Sequence, residues 1–171
     1  DVSFEAELQT FLCDCTSSNA IFFPNMARTI AGFKVPLGIF GRFLVEKKGE
    51  QSGKLDMKKG GLFALTRGVG LLALEAGIAG GTTWDKMERL KNLNFVSADD
   101  LEPIRESFTF LMKMRLERQL RAVSYGKEPS NYVDPQVLSE KEQNRLRKAF
   151  KGANTMISLL RSRYQLDLIA S

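Results

Sequence analysis

The stretch SEKEQNRLRKAFKGANTMISLLRSRY, residues 139–164, decides the fold. Leu146, Ala149, Phe150, Ala153, Met156, Ile157, Leu160 and Tyr164 recur at three- and four-residue intervals, which puts them on one stripe of a helix. Lys141, Arg145, Lys148 and Lys151 take the opposite side, and Ser139-Glu140-Lys141-Glu142 at the front is a capping box. A long helix with a single apolar stripe has to bury it against other helices. Its basic side is a solvated face. Nucleic-acid binding would call for interleaved aromatics or a known module, and the chain shows neither, so nucleic acid is not an expected partner.

Working back toward the N-terminus, the same periodicity returns. Ser97-Ala98-Asp99-Asp100 opens a helix reaching about Tyr125; Pro103 either sets its true start at Asp100 or kinks its first turn. Leu62, Leu65, Val69, Leu72, Ala73 and Ala76 share a face of a helix ended by Gly80-Gly81. Gly68 and Gly70 inside it each cost about 1 kcal/mol relative to alanine, and such glycines usually let a neighbouring backbone approach. Thr82-Thr83-Trp84-Asp85 starts a short helix through Leu93 with a threonine cap. Residues 3–16 place Phe4, Leu8, Phe11, Leu12 and Cys15 on one stripe, and Met26, Ile30 and Phe33 mark a shorter helix ending near Gly32. Between Val35 and Lys59, Phe43–Val45 and Leu55–Met57 flank the turn-forming run Lys48–Gly53, which predicts a small hairpin near residues 39–58. The expectation is an all-α, antiparallel helical bundle with additional short helices and that one small β-hairpin, forming a single domain over residues 1–171.

Composition narrows the chemistry. The chain of 171 residues has no histidine, which removes histidine triads, Cys–His nucleophiles and most transition-metal sites within it. Acid–base work would fall to Asp, Glu, Lys or Tyr. Cys13 and Cys15 stand two apart on a helix, point in different directions, and cannot complete a four-ligand zinc site. A net charge of +5 tolerates anionic partners without demanding them. No apolar run reaches the roughly 18–20 residues that span a bilayer, and Asp1 to Asp14 lacks the basic start of a signal peptide, so no membrane partner and a cytoplasmic location are expected.

Three stretches could carry binding chemistry. In Asp56-Met57-Lys58-Lys59-Gly60-Gly61, two lysines and two glycines precede a helix whose first N–H groups are free, a natural phosphate site. The competing reading is a glycine-rich turn at the end of a hairpin, and the spacing is not that of a Walker A loop. On the second helix the core stripe Leu101, Ile104, Phe108, Leu111 continues into Arg115 and Gln119. A cation and an amide on that line must be hydrogen-bonded to a neighbour or open onto a polar cleft. The loop Gly126–Leu138 carries Asn131 and Asp134, side chains suited to tying a turn to its own backbone. Trp84, beside a helix start, reads as packing.

Four segments together resemble a known family: Pro36-Leu37-Gly38-Ile39-Phe40-Gly41-Arg42-Phe43 leading into Leu55–Leu62; Thr83-x-x-Lys86-Met87-x-x-Leu90; Phe110–Gln119; and Gly126-x-x-Pro129-Ser130-Asn131-Tyr132-Val133-Asp134-Pro135-x-x-Leu138-Ser139. Over residues 36–164 the chain resembles the nucleotidyltransferase substrate-binding domain at the C-terminus of bacterial signal-transduction proteins. Two positions depart from the family pattern: Gly70 stands where an arginine is common, and Arg118 where a histidine often precedes the glutamine. The resemblance implies a C-terminal part of a multidomain protein, with cyclic-nucleotide-binding, CBS and nucleotidyltransferase domains of the same chain as upstream partners. It implies a domain that binds or positions a substrate, with Asp56, Lys58, Lys59, Gly60, Gly61, Arg115 and Gln119 as the substrate-binding set. No catalytic or metal-binding residue is expected in this chain, since the Gly-Ser and paired aspartates of nucleotidyl transfer are missing from it. Mg2+ and a nucleoside triphosphate are implied for the upstream catalytic domain. The alternative is a helical dimerisation or regulatory interaction module, which would make the chain a homodimer.

Overall fold

The computed structural model describes residues 2–168. Six α-helices run through them: α1 (Val2–Ser17), α2 (Phe22–Ala31), α3 (Phe63–Glu75), α4 (Thr83–Asn92), α5 (Ala98–Ser124) and α6 (Glu140–Arg163). The helix starts are written in the sequence. Ser139 and Glu142 form a reciprocal box at α6, with Ser139 N–H donating to Glu142 Oε2 at 2.9 Å. Thr82 and Asp85 repeat it at α4, and Ser97 Oγ accepts from Asp100 N–H at α5. α5 therefore begins at Ala98, two residues before Asp100, and continues through Pro103. α3 ends sooner than Gly80-Gly81 suggested: its last residue is Glu75, and Gly77 at φ 74° turns the chain away.

α5 and α6 pack antiparallel. Gly152 of α6 lies against Pro103 and Ser107 near the start of α5, while Arg145 sits over Phe110 further along it. α3 runs alongside α6 in the same direction, with Gly68 against Met156 and Glu75 bonded to Arg163 and Tyr164. Leu65, Leu72, Ile104, Leu111, Leu146, Phe150 and Met156 close the centre with almost no exposed surface. α2 covers one side through Ala27 and Ile30, and α4 another through Met87 and Leu90. Trp84 does pack, its ring 4.7 Å from that of Phe108 and its Nε1 donating to Thr109.

The small sheet exists, but its two strands come from distant parts of the chain. β1 (Leu55–Asp56) pairs antiparallel with β2 (Tyr132–Val133), Leu55 opposite Val133 and Asp56 opposite Tyr132. The expected partner Phe43–Val45 instead turns back, Phe43 bridging to Leu37. Glu46 and Gly53–Lys54 exchange two backbone hydrogen bonds that close the Lys48–Gly53 turn. Val133 is fully buried and Tyr132 half so, while Phe43 and Val45 also pack against the core without pairing to β1.

The glycines separate close approach from mere tolerance. A Cβ on Gly152 would stand 2.7 Å from the Pro103 carbonyl oxygen, whereas one on Gly70 would meet nothing within 4 Å. Gly152→Ala should therefore lower stability by about 1–3 kcal/mol through overpacking. Gly70→Ala should raise it by about 0.5–1 kcal/mol through helix propensity. Urea denaturation of both variants checks the opposite signs. The Ser139 hydroxyl and N–H hold the Glu142 carboxyl below the usual glutamate range. Its contribution to stability is present above the unfolded pKa and disappears as the pH falls through the lowered one. An NMR titration of Glu142 should return toward the ordinary glutamate value in Ser139→Ala.

Candidate functional site

The segment Asp56–Gly61 begins on β1 and passes into α3 through a wide turn of π-helix at Lys58–Leu62. Asp56 is buried, and its Oδ1 accepts from the N–H groups of Lys58 at 2.9 Å and Lys59 at 3.0 Å. These two N–H groups are thus not free for a phosphate; the carboxylate three residues back already holds them, as in a helix cap. Gly60 and Gly61 face inward. A Cβ at Gly60 would lie 2.6 Å from Pro36, and one at Gly61 would lie 2.6 Å from Leu111 and 3.3 Å from Phe150. Their lack of a side chain lets the turn seat on the core. The lysines point outward: Lys59 is exposed, and Lys58 is half-buried with its ammonium 5.3 Å from the centre of the Phe63 ring.

Arg115 directly follows Met114, where the buried stripe of α5 stops, and Gln119 lies one turn further along. Both reach the same atom. Arg115 Nε donates to Asn131 Oδ1 at 2.6 Å and Gln119 Nε2 donates to it at 3.4 Å. The backbone carbonyl of Asn131 in turn accepts from Met57 N–H at 3.0 Å. Asn131 therefore joins three segments that are remote in sequence: the Asp56–Gly61 turn, the polar end of the α5 stripe, and the 126–134 loop. Among the described residues Arg115 engages only through Nε, which leaves the donors of its two terminal nitrogens for another acceptor.

Asp134 behaves as read, its Oδ1 accepting from Gln136 N–H within its own turn. Asn131 does more, and sequence reasoning placed it outside the site. The signal was present: a short amide in a loop, facing a helix whose apolar stripe ends in a cation and an amide, is the complementary partner such a break requires. Among the described residues no three acid or thiol side chains converge as a metal cluster. No described helix is long and apolar enough to cross a membrane.

Residues 20–164 match the family described as "Putative nucleotidyltransferase substrate binding domain", and the chain belongs to it. The match takes in the Asp56–Gly61 turn, Arg115, Gln119 and Asn131, and leaves α1 outside. No curated protein and no solved structure matches the chain. Because Asn131 satisfies a charged donor at this junction, Asn131→Ala should cost about 1–2 kcal/mol of stability. Amide exchange should rise across residues 126–134, while Met57 N–H stays protected because its acceptor is backbone. Equal protection in wild type and variant would show that the amide side chain holds nothing.

Proposed function

We propose that this chain is the accessory domain of a bacterial signal-transduction nucleotidyltransferase and binds or positions the substrate without performing the transfer itself. Family membership gives the coarse role, and the single observation that carries the finer one is the junction at Asn131. It gathers motif segments around positions 56–61, 115–119 and 131 at one place on the surface of the bundle. In this reading Lys58, Lys59 and the free end of Arg115 hold anionic groups, and Gln119 contributes an amide. Asp56 sets the lysine backbone in place, while Gly60 and Gly61 seat the turn against α5 and α6. Magnesium and a nucleoside triphosphate belong to a nucleotidyltransferase domain of the same protein, alongside CBS and cyclic-nucleotide-binding domains, in the cytoplasm. The absence of histidine and of a Gly-Ser/paired-aspartate signature from the chain supports a role without chemistry of its own.

The second reading, dimerisation, has one specific observation in its favour. Phe4, Leu8, Phe11 and Leu12 form the apolar stripe of α1, and all four are exposed, Phe4 and Phe11 by more than 60 %. Size-exclusion chromatography with light scattering separates the two: a dimer that Phe11→Ser dissociates favours the interaction module, and a monomer excludes it.

For the leading reading, Lys58→Ala and Lys59→Ala in the protein that carries the nucleotidyltransferase domain should each lower kcat/KM for transfer by about tenfold, the equivalent of one lost charge-assisted contact. Neither ammonium is buried, so the fold should be unchanged by circular dichroism. Turnover equal to wild type in both variants would sink the assignment.

A further inference from the structure

Beside the Asn131 junction, α5, the 126–132 loop and the start of α6 enclose a cavity of about 520 Å3. Arg118, Arg121, Lys127, Tyr125 and Tyr132 line it together with Glu117 and Glu142. Local geometry builds this wall. Arg118 and Arg121 are three residues apart on one face of α5. The helix then ends in a left-handed Gly126 at φ 67°, with Gly126 N–H bonding the Val123 carbonyl and Lys127 N–H reaching back to that of Ala122. That reversal fixes the Lys127 backbone directly beyond the two arginines. Tyr132 comes from β2, next to Asn131, whose hydrogen bonds anchor the loop to α5.

The three cations of this wall outnumber its two acids. Arg118, Arg121 and Lys127 enter no ion pair and make no side-chain hydrogen bond among the described residues. Of the two acids, Glu142 accepts from the Ser139 hydroxyl and N–H and also acts on Arg118 and Arg121, while Glu117 lies 3.8 Å from Lys113. Another groove, between α5 and α6, is cationic too, but its cations are partnered. There Arg105 pairs with Glu102, Lys148 pairs with Glu106, and Arg145 stacks on Phe110. Arg118 and Arg121 share one helix face with a single carboxylate, Glu142, acting on both, so a second anion is favoured there. Guanidinium forks suit phosphate oxygens, and the two tyrosines offer planar faces for a ring. The volume falls within the range of small-molecule sites.

We propose that this cavity binds a mononucleotide, its phosphate held by Arg118, Arg121 and Lys127 and its base stacked on Tyr125 or Tyr132. The inference rests on the substrate-binding reading and adds to it a ligand class and a seat. Isothermal titration of the 171-residue chain with AMP tests it, with inorganic phosphate and adenosine as separate arms. AMP should bind more tightly than either alone, and Arg118→Ala/Arg121→Ala should weaken it by about tenfold or more. Tyr125→Ala should weaken it less, and Lys148→Ala in the groove between α5 and α6 should leave it unchanged. Lys127→Glu, a change on the exposed loop, keeps the test intact if the double arginine variant fails to fold, and should abolish binding. No AMP binding at millimolar concentration, phosphate binding as tight as AMP, or undiminished binding in Lys127→Glu would each overturn the proposal. Failure of AMP to bind, with transfer still slowed by Lys58→Ala and Lys59→Ala, removes the cavity and leaves the substrate-binding reading standing. Binding of AMP as described, with transfer untouched by those lysine variants, does the reverse.

Discussion

Everything in this bundle depends on how closely three helices can approach where α3 begins. Gly61 stands between Leu111 of α5 and Phe150 of α6, and a single methyl group there would overlap Leu111. The same economy recurs at Gly68 against Met156 and at Gly152 against Pro103 and Ser107. At Gly61 and Gly68 the side chains of Leu111, Phe150 and Met156 seat directly on glycine, and Phe150 and Met156 are fully buried. The position of the Asp56–Lys59 turn is a consequence. It is placed by the glycines that follow it, and then locked by the Asp56 carboxylate on its own N–H groups.

Helices were legible because their signals are local. Capping residues at 82, 97 and 139 and the stripes behind them lie within a few turns of each other, so one sequence window contains the whole cause. The sheet was not, because its cause is tertiary. Leu55 had a plausible partner nearby in Phe43–Val45, and it pairs instead with Val133, far away in sequence, next to the Asn131 that bonds Met57. The end of α3 was misjudged for a related reason: Gly77, Gly80 and Gly81 all satisfy the stop signal, and Gly77 acts first. A local pattern ranks such alternatives poorly when each is chemically acceptable.

The candidate site divides along the same line. That Arg115 and Gln119 needed a polar partner followed from their place on an apolar stripe, and they have one. Its identity did not follow, since Asn131 read equally well as a residue bonding its own loop. Asp56 illustrates the converse. Free N–H groups at a helix start are a general expectation, and a carboxylate two and three residues earlier is sufficient to consume them. Motif resemblance collected segments that the structure brings together; hydrogen-bond geometry distinguishes the side chains that face solvent, such as Lys59, from those that hold the turn in place.

α5 is longer than its core requires, and that excess is informative. Its last buried residue is Met114, yet the helix runs ten residues further to Ser124. Leu116, Leu120 and Val123 are exposed along this extension, so hydrophobic burial does not account for it. What the extension does carry is Arg115, Arg118, Gln119 and Arg121, and what anchors it is the Asn131 loop together with the left-handed turn at Gly126. A helical end that gains little from the core persists where its side chains are held or used. Arg115 and Gln119 are held. Arg118 and Arg121 make no hydrogen bond and no ion pair among the described residues, and one carboxylate, Glu142, faces the two of them.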